Sequence, residues 1–394
     1  MKARRSIVIV QYAGDYAEAY RRLTGGGKEN YYAQRYSIDV VGGLVRDDTA
    51  VAVICCTAEA DEDTVLANGV RSINLRSPGG VDEQRVWRAV QSCAPTHLCL
   101  RSPLTRVLRA ALRSPSIASV LLTLADSFEE RSWRARLRAW RLKRLLNHPK
   151  VLAVGNHGVS ASKSLRRIGV LASKIVPWDW PHEVSPRQSP AKSAPAGQDW
   201  SIFFVGLLIE SKGIGDVIRA VRRLADDGIR VSLDCAGRGD VAHFEALARE
   251  LDVAAQVRFL GMLPHSEVVP AMKRADLVVI PSRHDYPEGF PMTVYEALSS
   301  RTPIIASDHP MYAPHLSRTG AAAIFPAADG HAIAQAVKSL MADPAAYAAL
   351  SAASADSWDQ LQLPVTWGEL LTEWLRERPA EGYAPLKHAL SAAH

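Results

Sequence analysis

The second half of the chain alternates short β-rich runs with amphipathic helical stretches, and this alternation constrains the fold more than any other feature. Runs such as SIFFVGLLI, VSLDCAG and DLVVIPS are separated by helical stretches such as GDVIRAVRRLADD and SEVVPAMKRA. Strands joined by helices of this length predict a parallel sheet with right-handed crossovers. The first half shows the same alternation less clearly, from SIVIVQ through AVAVICC and SVLLTLA to VLAVGN. We therefore expect an α/β protein with two Rossmann-like domains, each built on a doubly wound parallel sheet.

The stretch PWDWPHEVSPRQSPAKSAPAGQDW between the two halves predicts the domain boundary. It is rich in proline and poor in aliphatic residues, which is the composition of a linker. We expect an N-terminal domain at 1–180, a linker at 181–199 and a C-terminal domain at 200–360. A C-terminal helix at 361–394 is expected to pack back on the N-terminal domain. With 394 residues, both domains are long enough to bury a core.

The two halves differ in charge, although the composition as a whole is that of an ordinary globular protein. Residues 1–180 hold 28 Lys and Arg against 16 Asp and Glu, whereas the remainder holds 19 against 25. A basic half suggests an anionic partner, such as a membrane surface, a polyanionic substrate or nucleic acid. The sequence shows neither a helix-turn-helix motif nor an aromatic-studded motif for nucleic-acid binding, so we expect no nucleic acid partner.

The N-terminal run SIVIVQ is too short for the core of a signal peptide or for a membrane span, and we expect a β-strand there. The five cysteines are odd in number and form no CxxC pair, so neither a disulfide framework nor a zinc site is predicted. Both features predict a cytoplasmic location.

The stretch PEGFPMTVYEAL places two glutamates, Glu288 and Glu296, on either side of a predicted helix start at Pro291 or Met292. The free amides of Met292 and Thr293 would then face the carboxyl end of the sheet, where an anion such as phosphate binds favourably. Glu296 lies one turn into the helix, where its carboxylate can accept hydrogen bonds from the hydroxyls of a ribose. Glu288 can accept those of a second sugar, so the pair predicts a site for a sugar nucleotide. The alternative is that both glutamates are ordinary surface residues.

The run PSRHDYPEGFPMTVYEALSSRTPIIAS resembles the donor-site motif of retaining glycosyltransferases of family 4. These enzymes have the GT-B fold, in which two Rossmann-like domains face a central cleft. FFVGLLIESKG, CAGRGD and VRFLGMLPHSEVVPAMKRADLVVIPS stand in the family's order, so the resemblance covers Ser201 to about Phe325. In the first half it is weaker and depends on IVIVQYAGDY, TGGGKENYYAQRYSIDVV and VGNHGVSASKSLRRIGV.

The resemblance implies roles for individual residues of the site. Lys212 would neutralise the diphosphate and stabilise the leaving group, and Glu288 would contact the transferred sugar, so these two are the predicted catalytic residues. The remaining predicted donor-binding residues are Glu296, Gly289, Phe290, Met292, Thr293, Gly26, Gly27, Arg238 and Arg283. A nucleotide sugar is the expected donor substrate, and neither a metal nor another cofactor is expected.

Two positions depart from the family pattern. Leu207 stands where the family usually has an arginine, and Arg238 and Arg283 are the predicted substitutes. Asp126 stands at a strand end where the resembling enzymes often carry a histidine. His157 is a weaker candidate for a sugar contact.

The stretch FEERSWRARLRAWRLKRLLNHPK predicts a basic helix, with seven Arg or Lys residues between Arg131 and Arg144. Helical spacing gives it two apolar faces, one formed by Ala135, Ala139, Leu142 and Leu146 and the other by Trp133, Leu137 and Trp140. The first face is expected to cover the sheet. The second is expected either to lie in an anionic membrane interface or to pack against a neighbouring loop.

Together these features predict a retaining glycosyltransferase of the hexosyltransferase class that transfers a sugar to a glycan or lipid-linked acceptor. Envelope or exopolysaccharide biosynthesis at the cytoplasmic membrane face is the expected context, with peripheral contact to anionic lipid. Two alternatives stay open: a nucleotide-sugar 2-epimerase of the same fold, and a non-catalytic partner subunit, which Leu207 favours.

Overall fold

The computed structural model describes residues 5–128, 133–197, 199–376 and 382–392. Its contacts divide the chain into two compact units. The N-terminal unit contains the residues up to Glu29, Ala33–Pro181 and the described residues from Leu363 onward, and the C-terminal unit contains Asn30–Tyr32 and His182–Gln362.

The N-terminal unit is built on an eight-stranded sheet in the order β3-β4-β2-β1-β5-β6-β7-β8. Only the β3–β4 pair is antiparallel among these described strands. The strands are β1 (Arg5–Ala13), β2 (Thr49–Ala58), β3 (Glu62–Val65), β4 (Arg71–Arg76), β5 (His97–Leu100), β6 (Ser119–Leu124), β7 (Val151–His157) and β8 (Ile175–Trp178). The helices are α1 (Tyr16–Thr24), α2 (Gln34–Gly42), α3 (Glu83–Ser92), α4 (Thr105–Arg113), α5 (Trp133–Leu146), α6 (Val159–Arg167) and, near the C-terminus, α14 (Trp367–Leu375).

The C-terminal unit is built on a six-stranded parallel sheet in the order β11-β10-β9-β12-β13-β14. Its strands are β9 (Trp200–Val205), β10 (Val231–Ala236), β11 (Val257–Gly261), β12 (Leu277–Ile280), β13 (Ile304–Ser307) and β14 (Ala322–Phe325). Its helices are α7 (Ile214–Asp226), α8 (Val241–Glu250), α9 (His265–Arg274), α10 (Met292–Ser300), α11 (Ala313–Thr319), α12 (Gly330–Ala342) and α13 (Pro344–Asp359).

Each sheet is covered on both faces, which is why its strands read as nearly continuous apolar runs. In β1, Val8 and Val10 belong to one apolar cluster of the N-terminal unit, whereas Ile7 and Ile9 belong to a second cluster. Because successive side chains of a strand point to opposite faces, these two clusters lie on the two sides of the sheet. The predicted fold class, two doubly wound parallel-sheet domains, is confirmed.

Each sheet also has one point where the strand order reverses. In the N-terminal unit the chain leaves β1 for β2 on one side and later returns to β5 on the other side of β1. In the C-terminal unit β9 and β12 flank the corresponding point. Ligands of open α/β sheets bind outside the carboxyl ends of the strands at such a point.

The segment predicted as a linker packs on the C-terminal unit. The amide of Lys192 donates to Ser351 Oγ at 2.7 Å, and the hydroxyl of Ser299 donates to the carbonyl of Val184 at 3.0 Å. These partners on α13 and α10 lie more than 100 positions away, so local composition gave no sign of them.

The C-terminal helix belongs to the N-terminal unit. In α14, Trp367 and Leu370 are fully buried, and Trp367 Nε1 donates to Thr123 Oγ1 on β6 at 3.2 Å. The remainder of the expected 361–394 segment includes residues 377–381 and 393–394, which lie outside the described residues.

Helix α5 has the two faces that its sequence pattern predicts. Leu142 and Leu146 are buried in the apolar cluster on one side of the sheet. On the other face Trp133 is 70% exposed, Leu137 41% and Trp140 47%. Arg131, which we counted among the seven basic residues, lies outside the described part of the chain.

Candidate functional site

The loops that follow β9 and β12 form the candidate site at the reversal point of the C-terminal sheet. The loop after β9 ends in a single 3₁₀ turn, Glu210–Lys212, and Gly213 then leads into α7. Gly213 has a φ of +78°, and a Cβ there would lie 2.1 Å from the carbonyl oxygen of Pro281 in the loop after β12. A residue without a side chain is therefore needed for the two loops to approach each other.

Lys212 and Glu288, the two predicted catalytic residues, are brought together across these loops. Lys212 Nζ lies 2.5 Å from Glu288 Oε2, and the hydroxyl of Ser282 donates to the same oxygen at 3.0 Å. Lys212 Nζ also lies 4.2 Å from the centre of the Tyr286 ring. Glu288 is only 7% exposed, so the pair is well shielded from water. An ammonium and a carboxylate side by side can bind a diphosphate oxygen and a sugar hydroxyl respectively.

Helix α10 begins beside this pair, at Met292, with Pro291 as its N-cap residue. Proline fixes its own φ and has no N–H, so it suits this position. The first-turn amides of a helix have no partners within the helix and attract anions. Gly289, Met292 and Thr293 are partly exposed there. Phe290 differs, because its side chain is buried and packs against the Tyr295 ring at 5.3 Å, which leaves its backbone to contact a ligand.

Glu296 lies on α10 one turn after Met292 and faces a histidine that sequence reasoning missed. Its Oε1 atom lies 3.2 Å from Nδ1 of His265, the first residue of α9. The edge of the Tyr32 ring packs on the His265 ring at 4.7 Å. His265 lies in LPHSEV, part of the stretch VRFLGMLPHSEVVPAMKRADLVVIPS that carries the family resemblance. No spacing rule connects it with a glutamate 31 positions later. The contact orients one carboxylate oxygen of Glu296.

The two arginines predicted to replace the family arginine have different surroundings. Arg283 donates from Nε and Nη2 to the carboxylate of buried Asp216 at 2.7 and 2.8 Å and also lies 2.9 Å from Glu210. Hydrogen bonding to Asp216 raises the pKa of Arg283. Arg283 thus has two carboxylate partners, and binding a diphosphate would require it to exchange them.

Arg238 is exposed, and its guanidinium lies 5.7 Å from the centre of the Tyr31 ring. Leu207, at the position of the family arginine, is 36% exposed. In this site Lys212 is therefore the cation placed directly beside Glu288.

The glycines of the N-terminal unit end helix α1. The amide of Gly25 donates to the carbonyl of Arg21 at 3.0 Å, and Gly26 has a φ of +84°. A Cβ on Gly27 would lie 2.6 Å from the side chain of Arg22. The chain's own packing thus accounts for Gly27, and the expected donor contacts of Gly26 and Gly27 stay predictions.

His157 and Asp126 lie at the carboxyl ends of β7 and β6. His157 Nε2 lies 2.9 Å from Asp179 Oδ1, and both side chains are buried. Burial raises the pKa of Asp126. The buried His157–Asp179 pair is a structural feature of this sheet edge, and a sugar contact by His157 stays a prediction.

Within the described ranges, no three His, Cys, Asp or Glu side chains are grouped so as to hold a metal ion. In the candidate site, the carboxylate of Glu288 is paired with the ammonium of Lys212. The expectation that the protein needs no metal stays a prediction.

Residues 186–356 match the family model described as Glycosyl transferases group 1. The matched segment lies within the C-terminal unit and contains Lys212, Glu288 and Glu296. The segment that is similar to this family model therefore includes all three of these residues.

Among curated proteins, the chain is similar to the glycogen synthase of Mycobacterium tuberculosis. The two are 30% identical over 184 residues, which cover 46% of this chain and 42% of that protein. The chain thus spans less than half the length of this curated relative.

Among solved structures, the sucrose-phosphate synthase of Thermosynechococcus elongatus matches with a TM-score of 0.66 and 18% identity, over 95% of this chain and 99% of that one. The Anabaena protein HepE, solved in complex with UDP-glucose, matches with a TM-score of 0.61 and 15% identity, over 90% and 95% of the two chains. Likeness over nearly the whole chain to such two-domain glycosyltransferase structures shows the GT-B fold.

Proposed function

We propose that the protein is a glycosyltransferase that uses a nucleotide-sugar donor. The observation that carries this proposal is the meeting of Lys212 and Glu288 at the reversal point of the C-terminal sheet, next to the start of α10. The family match over residues 186–356 supports it. The likeness to a protein solved with UDP-glucose supports the donor class.

In the proposed reaction, the bond between the sugar's anomeric carbon and the diphosphate breaks while an acceptor hydroxyl bonds to that carbon. The ammonium of Lys212 and the first amides of α10 stabilise the charge that develops on the departing diphosphate. Glu288 accepts hydrogen bonds from the transferred sugar, and Glu296 accepts those of the ribose. The acceptor proton passes to the departing phosphate, so no protein base is required.

Retention of the anomeric configuration is part of the proposal and is supported by the resemblance to family 4. The direct test is the configuration of the new glycosidic bond, read by NMR from the anomeric coupling constant. Transfer from an α-linked donor is expected to give an α-linked product, and a β-linked product would contradict retention.

A non-catalytic partner subunit is a second candidate, because Leu207 replaces an arginine and Arg283 is held by Asp216 and Glu210. Such a subunit would bind a nucleoside diphosphate without consuming a nucleotide sugar. Turnover separates the two functions.

We expect purified protein to consume at least one of the UDP-, GDP- or ADP-linked sugars in the presence of glycan or lipid-linked acceptors. Lys212→Ala is expected to lower turnover at least tenfold, roughly 1.4 kcal/mol of transition-state stabilisation, and a chelator is expected to leave activity unchanged. Chromatography of the released nucleoside diphosphate measures both effects.

Binding without turnover across the panel would favour the non-catalytic subunit. Activity that a chelator abolishes and a divalent ion restores would contradict the metal-free mechanism.

We also propose that the acceptor is a glycan or lipid-linked molecule at an anionic membrane surface, in envelope or exopolysaccharide biosynthesis. The exposed face of α5 supports this, because Trp133 and Trp140 stand among arginines with no acidic residue between Trp133 and Leu146. The guanidinium groups of Arg134 and Arg144 lie 5.3 and 4.8 Å from the rings of Trp133 and Trp140. Aromatic side chains with basic neighbours suit an interface rich in anionic lipid. No helix in the described residues is both long and apolar enough to cross a membrane.

At low salt, the wild-type protein is expected to sediment with anionic liposomes and not with neutral ones. Each Lys or Arg near an anionic leaflet contributes about 1 kcal/mol, an attraction that salt screens. Replacing Arg134, Arg138 and Arg141 with Gln is therefore expected to abolish sedimentation. All three side chains are exposed, so the buried face of α5 stays intact.

The matched control replaces three exposed arginines on other parts of the N-terminal unit, Arg46, Arg76 and Arg88, with Gln. It removes the same charge and is expected to keep most of the sedimentation. If the α5 variant and the wild type sediment equally, helix α5 is not the membrane contact.

A further inference from the structure

Arg101 is an arginine with an unusual set of partners at the reversal point of the N-terminal sheet. It follows β5 directly, and its guanidinium lies 4.9 Å from the centre of the Trp367 ring and 5.7 Å from that of Trp180. Its Nη1 donates to Gln11 Oε1, at the end of β1, at 3.4 Å. In the part of the chain that the structure describes, no carboxylate lies within ion-pair distance of Arg101.

The protein around Arg101 desolvates the cation without supplying a counter-charge. This desolvation lowers the pKa of the guanidinium, although the side chain keeps part of its surface exposed. Arg283 and Arg258 in the C-terminal unit differ, because each binds both oxygens of an aspartate. Desolvating a charge without a partner is costly, so a site of this kind gains much from a ligand that brings the opposite charge.

The position of Arg101 in the fold is that of a ligand site. Gln11 lies near the carboxyl end of β1 and Arg101 follows β5, and these two strands flank the point where the strand order reverses. In the C-terminal unit, Lys212 and Glu288 follow β9 and β12 at the equivalent point. Both units therefore place a cation where open α/β sheets bind ligands.

The neighbours of Arg101 suit a sugar that carries an acidic group. The fully buried ring of Trp367 holds the guanidinium, whose planar fork binds two oxygens of a phosphate or carboxylate at once. Trp180 is partly exposed and offers an apolar ring surface, and the amide of Gln11 offers a hydroxyl partner.

We infer that the N-terminal unit binds an oxyanion, phosphate or carboxylate, at Arg101, and that the acceptor of the proposed sugar transfer carries it. The oxyanion site depends only on the surroundings of Arg101. Its assignment to the acceptor rests on the proposed function.

Calorimetric titration with three probes of similar size tests the inference: glucose 6-phosphate, glucuronate and glucose, at constant ionic strength. At least one anionic probe is expected to bind the wild type at least tenfold more tightly than glucose. Arg101→Gln is expected to lose this preference, and Arg101→Lys, which keeps the charge without the fork, to retain part of it. A phosphate preference or a carboxylate preference then identifies the source of the oxyanion.

Two further variants separate this site from its surroundings. Arg109→Gln removes an exposed arginine of α4 and is expected to bind the anionic probe as the wild type does. Lys212→Ala, in the proposed donor site, is also expected to keep the binding. The inference is overturned if Arg101→Gln binds the anionic probes as tightly as the wild type, if binding is lost in Lys212→Ala and kept in Arg101→Gln, or if neither anion binds better than glucose. A separate titration with nucleoside diphosphate reports on the proposed donor site, so the two proposals fail independently.

Discussion

At the scale of single residues, the site pairs the two groups that the donor is proposed to separate. Lys212 Nζ and Glu288 Oε2 lie 2.5 Å apart, and Ser282 adds a third hydrogen-bonding group. A diphosphate that binds Lys212 competes with Glu288 for the ammonium, and a sugar hydroxyl that binds Glu288 replaces the lost contact. The intact donor therefore gives both Lys212 and Glu288 a new partner, whereas a free nucleoside diphosphate gives one only to Lys212.

This difference predicts that replacing the two glutamates has different effects on ligand affinity. Glu296→Ala is expected to weaken a nucleoside diphosphate and its sugar conjugate alike, by about tenfold or roughly 1.4 kcal/mol, because both ligands lose the ribose contact. Glu288→Ala is expected to weaken the intact donor by more than it weakens the free diphosphate. Only the donor loses a contact between its sugar and Glu288, whereas for both ligands the variant removes the carboxylate that competes for Lys212. Calorimetric titration of each variant with each ligand measures the four changes in affinity.

Equal losses of free diphosphate in Glu288→Ala and Glu296→Ala would show that the two roles are wrongly assigned. Circular dichroism of each variant checks that the fold is intact.

Sequence reasoning predicted the residues of the site that lie in local patterns, and missed those that depend on distant parts of the chain. The helix start at Pro291 or Met292 and the two glutamates follow from the stretch PEGFPMTVYEAL, and α10 begins at Met292. His265, which orients Glu296, comes from the start of another helix. The Asp216 partner of Arg283 lies 67 positions away on α7, so the sequence did not show that this predicted diphosphate cation is paired with a carboxylate.

At the scale of elements, the site depends on how closely the loops after β9 and β12 approach each other. Gly213 allows this approach, and Gly237 allows a similar one between the loop after β10 and the end of β9. A Cβ at Gly237 would lie 1.8 Å from the carbonyl oxygen of Gly206, where the loop after β10 passes the end of β9. The sequence contains both glycines within recognisable motifs, but only the structure shows which backbone each one meets.

Gly213→Ala is expected to destabilise the C-terminal unit and to weaken binding of a nucleoside diphosphate, because the loop that carries Lys212 must move away from Pro281. The matched control is Gly228→Ala, whose φ of +74° is similar but whose Cβ would meet nothing within 4 Å. The control should cost only the strain of a left-handed alanine, about 1–2 kcal/mol. Urea unfolding gives the free energies of the two variants.

The expectation fails if Gly213→Ala is no less stable than Gly228→Ala and binds the diphosphate as the wild type does. Such a result would show that the β9 and β12 loops tolerate a change in their spacing.

At the scale of the whole molecule, the sequence predicted two α/β domains with bounds for each, but not that residues 182–197 and Asn30–Tyr32 belong to the C-terminal unit. Residues 182–197 read as linker by composition, yet they hydrogen-bond to α10 and α13 of the C-terminal unit. Asn30–Tyr32 also belong to that unit, although they follow the glycines that end α1. Both assignments result from contacts between residues far apart in the chain, which hydrophobic periodicity does not report.

The central claim is that the protein binds the diphosphate of a nucleotide sugar at Lys212. Calorimetric titration of the whole protein with UDP, GDP and ADP, beside the matching monophosphates, tests it most directly. One diphosphate is expected to bind at a single site and more tightly than its monophosphate, with at least a tenfold loss of affinity in Lys212→Ala. Binding of none of the three diphosphates, or equal affinity in the wild type and Lys212→Ala, would contradict the claim.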